Sequence, residues 1–221
     1  MQKKIKSGIA GLDEVLGGGI PEKSMIAVQG GPGTGKTILG LQFIFAGLVS
    51  GEAGVFATTD EYPSKVLGLM QNFGWKTENG LVVLDSFSSN FGKTSGNFVV
   101  QDLGDINEFF DVLVRAIRHV SAKRVVIDNF SSLCLGKPIS PRNILLNLKR
   151  ILQSMGCSSI ILLSQEDRFA EILCDGLLKL SIDEKAEQFK RFISVIKMRG
   201  TPIKIGKYVF DIDDKGISIQ T

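Results

Sequence analysis

The chain has 221 residues, 43% of them hydrophobic, and a net charge of +3. That length supports one domain with a substantial core, and the composition excludes a disordered chain. So small a charge gives no argument for nucleic acid or an anionic membrane as a partner.

At the N-terminus, Met1 to Ser7 is basic but lacks an apolar core, so it does not read as a secretory signal. Residues 7–24 are rich in glycine. Leu12, Val15 and Leu16 fall on one side of a short helix that Gly17–Gly19 stop, which predicts a lead-in packed on the sheet edge. Met25-Ile26-Ala27-Val28 reads as a buried strand and Ile38 to Ala46 as a helix. The longest apolar stretch, Ile38 to Val49, is too short to span a bilayer and is interrupted by Gln42. Gly54 to Thr59 is a second buried strand ending on Asp60-Glu61. Ser64 to Phe73 is helical and closed by Gly74-Trp75, and Leu81 to Asp85 is a third strand. Residues 86–104 have no periodicity, and a connection of that length points to function or mobility.

Asp105 with Glu108 resembles a capping box, opening a helix to about Val120. His119 near its end suits the helix dipole. Arg124 to Asp128 is a strand ending on an acid. Ser140-Pro141 starts a helix running to about Met155, and Ser159 to Gln165 is another buried strand. Alternation of strand and helix up to this point implies a parallel sheet covered on both faces. The closely spaced strands Gly176–Leu180, Arg191–Ile196, Lys207–Phe210 and Gly216–Ile219 then extend one edge as antiparallel hairpins. The expectation is a single α/β domain over residues 1–221. Cys134, Cys157 and Cys174 are scattered and show no ligand spacing with His119, so no zinc site is expected. They suit a reducing compartment, and a soluble cytoplasmic protein is the economical reading.

Gly30-Gly31-Pro32-Gly33-Thr34-Gly35-Lys36-Thr37 carries the chemistry. Strand, glycine loop and helix in that order form a phosphate cradle. The glycines let backbone N–H groups turn inward on one anion, and the helix adds its positive end. Lys36 would reach the β and γ phosphates of a nucleoside triphosphate, and the Thr37 hydroxyl would ligate magnesium. Asp128, closing its strand, is the second magnesium-holding acid. Asp60 and Glu61 reach the same rim of a parallel sheet, where a carboxylate could polarise the attacking water. Strand alternation lets only one of the two aim at the phosphate, and a solvated acidic turn is the plain alternative. Ser164-Gln165 ends a strand there, and Gln165 either senses the γ phosphate or caps the loop. Lys197 and Arg199 point the same way on a strand. Spacing alone favours cations guarding a hairpin edge over an arginine-finger role.

Several motifs together carry a family resemblance. They are Ser7 to Asp13, Gly17-Gly18-Gly19-Ile20-Pro21, the loop Gly30–Thr37, and Thr59-Asp60-Glu61 with Pro63. Phe73-Gly74-Trp75, Arg124 to Asp128, Lys197-Met198-Arg199-Gly200-Thr201 and Asp213 to Ile217 complete the set. In this order, over nearly the whole chain, they resemble the KaiC-like branch of the RecA superfamily. The family's clock protein carries two such domains in tandem, and this chain carries one. The resemblance implies a RecA-like P-loop fold and a magnesium-dependent ATPase. It also implies a hexameric ring with nucleotide at subunit interfaces. Lys197 and Arg199 match the pair that reaches a neighbour's γ phosphate, which reverses the reading from spacing. Asp60-Glu61 matches the paired acids that supply the catalytic carboxylate. Asp in the first place, where the clock protein has Glu, shifts the burden toward Glu61. Gln165 is similar to the polar strand end of RecA-like recombinases. The clock protein's phosphorylated Ser and Thr correspond, counting back from Asp175, to Glu171 and Ile172, so clock-type autophosphorylation is not expected.

The reading is a ring-forming ATPase of slow turnover that uses ATP and Mg2+ and whose nucleotide cycle controls assembly or a protein partner's docking. One alternative is a DNA-dependent ATPase related to recombinases, using loops 129–140 and 166–174. These offer Lys137, Arg168 and nearby Arg142 but no basic and aromatic run to track a strand. The other is a nucleotide-gated switch with negligible turnover, for which Asp60 leaves room.

Overall fold

The computed structural model describes residues 3–77, 80–88, 97–183 and 189–220. The lead-in holds β1 (Lys4–Ile5), α1 (Leu12–Val15) and β2 (Ile20–Pro21). The alternating part follows: β3 (Met25–Gly30), α2 (Lys36–Val49), β4 (Gly54–Thr58), α3 (Pro63–Asn72), β5 (Leu81–Asp85), α4 (Ile106–Val120) and β6 (Arg124–Asp128). Next come α5 (Phe130–Leu133), α6 (Pro141–Ser154), β7 (Ser158–Leu163) and α7 (Arg168–Leu173). The chain ends with β8 (Gly176–Asp183), β9 (Lys190–Met198), β10 (Gly206–Asp213) and β11 (Gly216–Ile219).

Among the described residues the main sheet has nine strands in the order β11-β10-β9-β8-β3-β7-β6-β4-β5. From β8 to β5 every neighbour is parallel, and β8 through β11 pair antiparallel. The inner strands β3, β4, β6 and β7 are buried along nearly their whole length because both faces are covered. Met25 and Ala27 of β3 enter one core cluster with α4 and α6, whereas Ile26 and Val28 enter the other with α2 and α3. The C-terminal strands bury one face, through Ile193, Val195, Phe210 and Ile217, in the α2 cluster.

Local signals explain most boundaries. Asp105 caps α4 by accepting from Asn107 N at 2.8 Å. Ser140 caps α6, with Pro141 in its first turn. The reciprocal half of the capping box is absent. The Glu108 carboxylate instead accepts from the backbone N–H groups of Gln101 and Asp102, both at 2.8 Å, and so fixes the chain entering the helix. Strands β4 and β7 stop earlier than expected, at Thr58 and Leu163. Asp60-Glu61 and Ser164-Gln165 therefore lie in bends, where strand alternation does not govern which way they point. Residues 89–96 of the long connection lie outside the described residues.

The lead-in does reach the sheet edge, where Ala10 bridges Ser218 of β11. Gln42 is what holds it there. Its Nε2 donates to Gly8 O at 2.8 Å and Ile217 O at 3.1 Å, and its Oε1 accepts from Ile217 N at 2.7 Å. The polar interruption of the apolar α2 is thus a buried joint between three segments. Arg124 acts similarly: it is buried, paired with Glu52 at 2.8 Å, and donates to the Lys6 and Phe43 carbonyls. Trp75 stacks between Phe45 and Phe73.

Candidate nucleotide site

Strand β3 lies between β7 and β8, so the loop after Gly30 leaves the middle of the sheet at the carboxyl ends of the parallel strands. Gly33 and Gly35 curl it with φ of 73° and 96°, a region L side chains rarely adopt. Thr34 Oγ1 and Lys36 Nζ both donate to Gly31 O at 2.8 Å. A Cβ on Gly31 would meet nothing within 4 Å, so the mouth of the loop is open. Helix α2 begins at Lys36 with Gly35 as its N-cap and no side-chain cap. Its first N–H groups and positive dipole end are therefore presented to an anion.

Asp128 comes to this loop from β6. Its Oδ2 accepts from Thr37 Oγ1 at 2.7 Å. Burial pushes the carboxyl up to about 6; the Thr37 hydrogen bond and Lys36 oppose this, while Asp60 and Glu61 add to it. Burial likewise lowers Lys36, with Asp128 working against the shift. A hydroxyl and a carboxylate are hard oxygen donors. Among the described residues no group of three or more His, Cys, Asp or Glu is placed to hold a metal. That donor set fits Mg2+, which takes most of its ligands from phosphate and water rather than from a protein cage.

Asp60 and Glu61 diverge. Asp60 Oδ2 accepts from Ser132 Oγ at 2.9 Å. Glu61 Oε1 instead pairs with Lys65 Nζ at 2.5 Å, one turn along α3. Gln165 is exposed beside the loop's entry, in a cleft of about 370 Å³ that also holds Gln29, Gly31, Ser164 and Lys179.

Lys197 and Arg199 do not join this group. Gly30 pairs with Leu180, but Met198 pairs with Gly176, which is level with Ile26. Four residues of strand place that end of β9 about 13 Å from the loop's level, at the opposite rim. There Lys197 donates to Glu171 O, and Arg199 donates to Ile172 O at 2.7 Å. Both cations cover carbonyls at the end of α7.

One set of residues escapes the sequence signals. A cleft of about 460 Å³ runs from Gly33 and Gly35 past Ile38, Leu69, Arg191 and Ile212. Its three apolar side chains and one guanidinium, from α2, α3, β9 and β10, suit a flat ring next to the phosphates. No spacing links four residues so far apart in the chain.

The model of the family described as KaiC ATPase matches residues 5–221. UPF0273 protein PH0284 of Pyrococcus horikoshii is 42% identical over 99% of this chain and 94% of its own length. A UPF0273 protein of Thermotoga maritima is also 42% identical, over 99% of this chain and 96% of its own length. Among solved structures, the KaiC-like protein PH0186 of Pyrococcus horikoshii matches with a TM-score of 0.85 and 30% identity over 100% of both chains. Among the described residues no helix is long and apolar enough to cross a membrane. From the glycine loop after β3 to the antiparallel strands that close the sheet, the chain belongs to the KaiC ATPase family, with its RecA-like fold.

Proposed function

We propose that this protein is a cytoplasmic Mg2+-dependent ATPase of slow turnover that works as a hexameric ring. The loop Gly30 to Thr37 holds the triphosphate, with Lys36 on the β and γ phosphates. Thr37 and Asp128 hold the magnesium ion. Asp60 and Glu61 supply the carboxylate for the attacking water, and Gln165 reads the γ phosphate. Lys197 and Arg199 complete the site of the next subunit, and the nucleotide cycle controls assembly or the docking of a protein partner. Self-phosphorylation of the clock type is not part of the activity, since Glu171 and Ile172 stand at the corresponding positions.

The observation that carries this reading is the convergence at one rim of Lys36, Thr37, Asp128 and Asp60 from three elements, with the Thr37–Asp128 contact at 2.7 Å. The placement of Lys197 and Arg199 at the other rim supports a role toward a neighbour.

Two measurements test it together. Incubation with γ-labelled ATP and Mg2+ is expected to release phosphate and leave no stable label on Ser or Thr. Molecular mass in solution is expected to rise roughly sixfold with Mg-ATP, as ring closure requires. A strict monomer under both conditions removes the role of Lys197 and Arg199. Binding without turnover turns the protein into a switch. Stimulation by single-stranded DNA that fades with salt would favour a recombinase-like ATPase instead.

A further inference from the structure

We propose that Ser132 is a positioning residue for ATP hydrolysis: its hydroxyl holds the Asp60 carboxylate at the reacting water. The inference rests on the ATPase reading above and deepens it.

Asp60 lies in a bend past the end of β4, so the strand does not fix its direction. Something else must. Ser132 Oγ donates to Asp60 Oδ2 at 2.9 Å. The only other donor near that carboxylate in the described residues is Thr59 Oγ1, 3.2 Å from Asp60 Oδ1. Thr59 is already engaged, since its hydroxyl oxygen accepts from Asn129 N at 2.8 Å and lies 3.1 Å from Asn129 O. A hydroxyl has one proton to donate, so Thr59 serves either the Asn129 carbonyl or Asp60. Among the described residues Ser132 Oγ makes no such competing contact, which makes it the dedicated donor.

The helix that presents Ser132 is itself fixed to the site. α5 follows Asp128 after one residue, and Asn129 caps it by accepting from Ser131 N at 2.9 Å. Ser131 Oγ in turn accepts from Ser164 N at 3.3 Å, next to Gln165. Two successive serines therefore tie the bends after β4 and β7 to the segment that carries Asp128. Glu61 has no comparable tether at the site, because its carboxylate is drawn along α3 by Lys65. In the reaction, the water oxygen bonds to the γ phosphorus and the β–γ bridging bond breaks with its electrons going to ADP. The water proton passes to Asp60. Ser132 keeps that carboxylate aimed and does not itself exchange a proton.

The test uses the full chain with Ser132→Ala, Ser132→Thr and Ser132→Val. Thr keeps the hydroxyl, and Val has the shape of Thr without it. Loss of one orienting hydrogen bond is expected to lower kcat about 3–10-fold in Ala and Val. KM for ATP and affinity for a non-hydrolysable analogue should stay within about twofold, because the bond acts on the water rather than on the phosphates. Thr should restore most of the rate. Ala and Val turning over like wild type, or Thr and Val falling together, would overturn the assignment of Ser132 and leave the ATPase reading intact. A wild-type protein with no Mg-ATP hydrolysis would overturn both.

Discussion

Asp128 sits at a cost that a metal ion would offset. Its carboxyl is raised from 3.8 to about 6, chiefly by burial. For an acid raised in this way, the folded state holds its proton more tightly than the unfolded chain. The associated stability is complete below pH 3.8 and is lost as pH rises through about 6. At pH 7.5 the ionised group therefore works against the nucleotide-free fold by about 2–3 kcal/mol. Asp128→Asn should raise the melting temperature of the nucleotide-free protein at that pH and abolish the further rise on adding Mg-ATP. Calorimetry with and without nucleotide measures both. A variant less stable than wild type without nucleotide would contradict this account of the site.

At the scale of elements, the loop depends on a strand far from it in sequence. Ile212 of β10 lies against Gly35, where a Cβ would stand 2.9 Å from its Cδ1. Ile212 can yield because the clash is with the tip of a flexible side chain, but the φ of 96° at Gly35 cannot be kept by alanine without strain. Gly35→Ala should therefore cost about 1–2 kcal/mol and weaken ATP binding at least roughly tenfold, through the loop rather than the core. Isothermal titration and thermal melting separate the two effects. The strand and helix pattern around this loop was legible in the sequence, because apolar runs, glycines and caps act locally. The ends of β4 and β7 were not. Asp60 and Gln165 continue polar segments that no local rule cuts, and the bends there follow from contacts with α5.

The whole molecule presents two separate chemistries at opposite rims of one sheet. Lys36, Thr37, Asp128 and Asp60 gather at the carboxyl ends of the parallel strands, and Lys197 and Arg199 cover α7 at the other end. If a neighbour's cations complete each site, Lys36→Ala and Arg199→Ala should each be inactive alone and partly active when mixed. Random assembly gives about a quarter of sites with both functional halves, since each half is supplied independently by a head-to-tail neighbour. Arg199→Ala releasing phosphate like wild type on its own, with the mixture near half of wild type, would argue that the site is complete within one chain.

By itself the sequence determined the glycine loop between β3 and α2, the acid closing β6 and the mostly parallel sheet with its antiparallel extension. Each is written in neighbouring residues, through glycine spacing and runs apolar on both strand faces. Only the tertiary structure decided that Gln42 joins the lead-in to β11, that Arg191 and Ile212 flank the loop, and that Asp60 leans on Ser132 while Glu61 turns to Lys65. It also put Lys197 and Arg199 beyond reach of their own chain's loop. These outcomes depend on strand register and on where each strand stops. Both are set by packing between residues far apart in the chain, which no local pattern encodes.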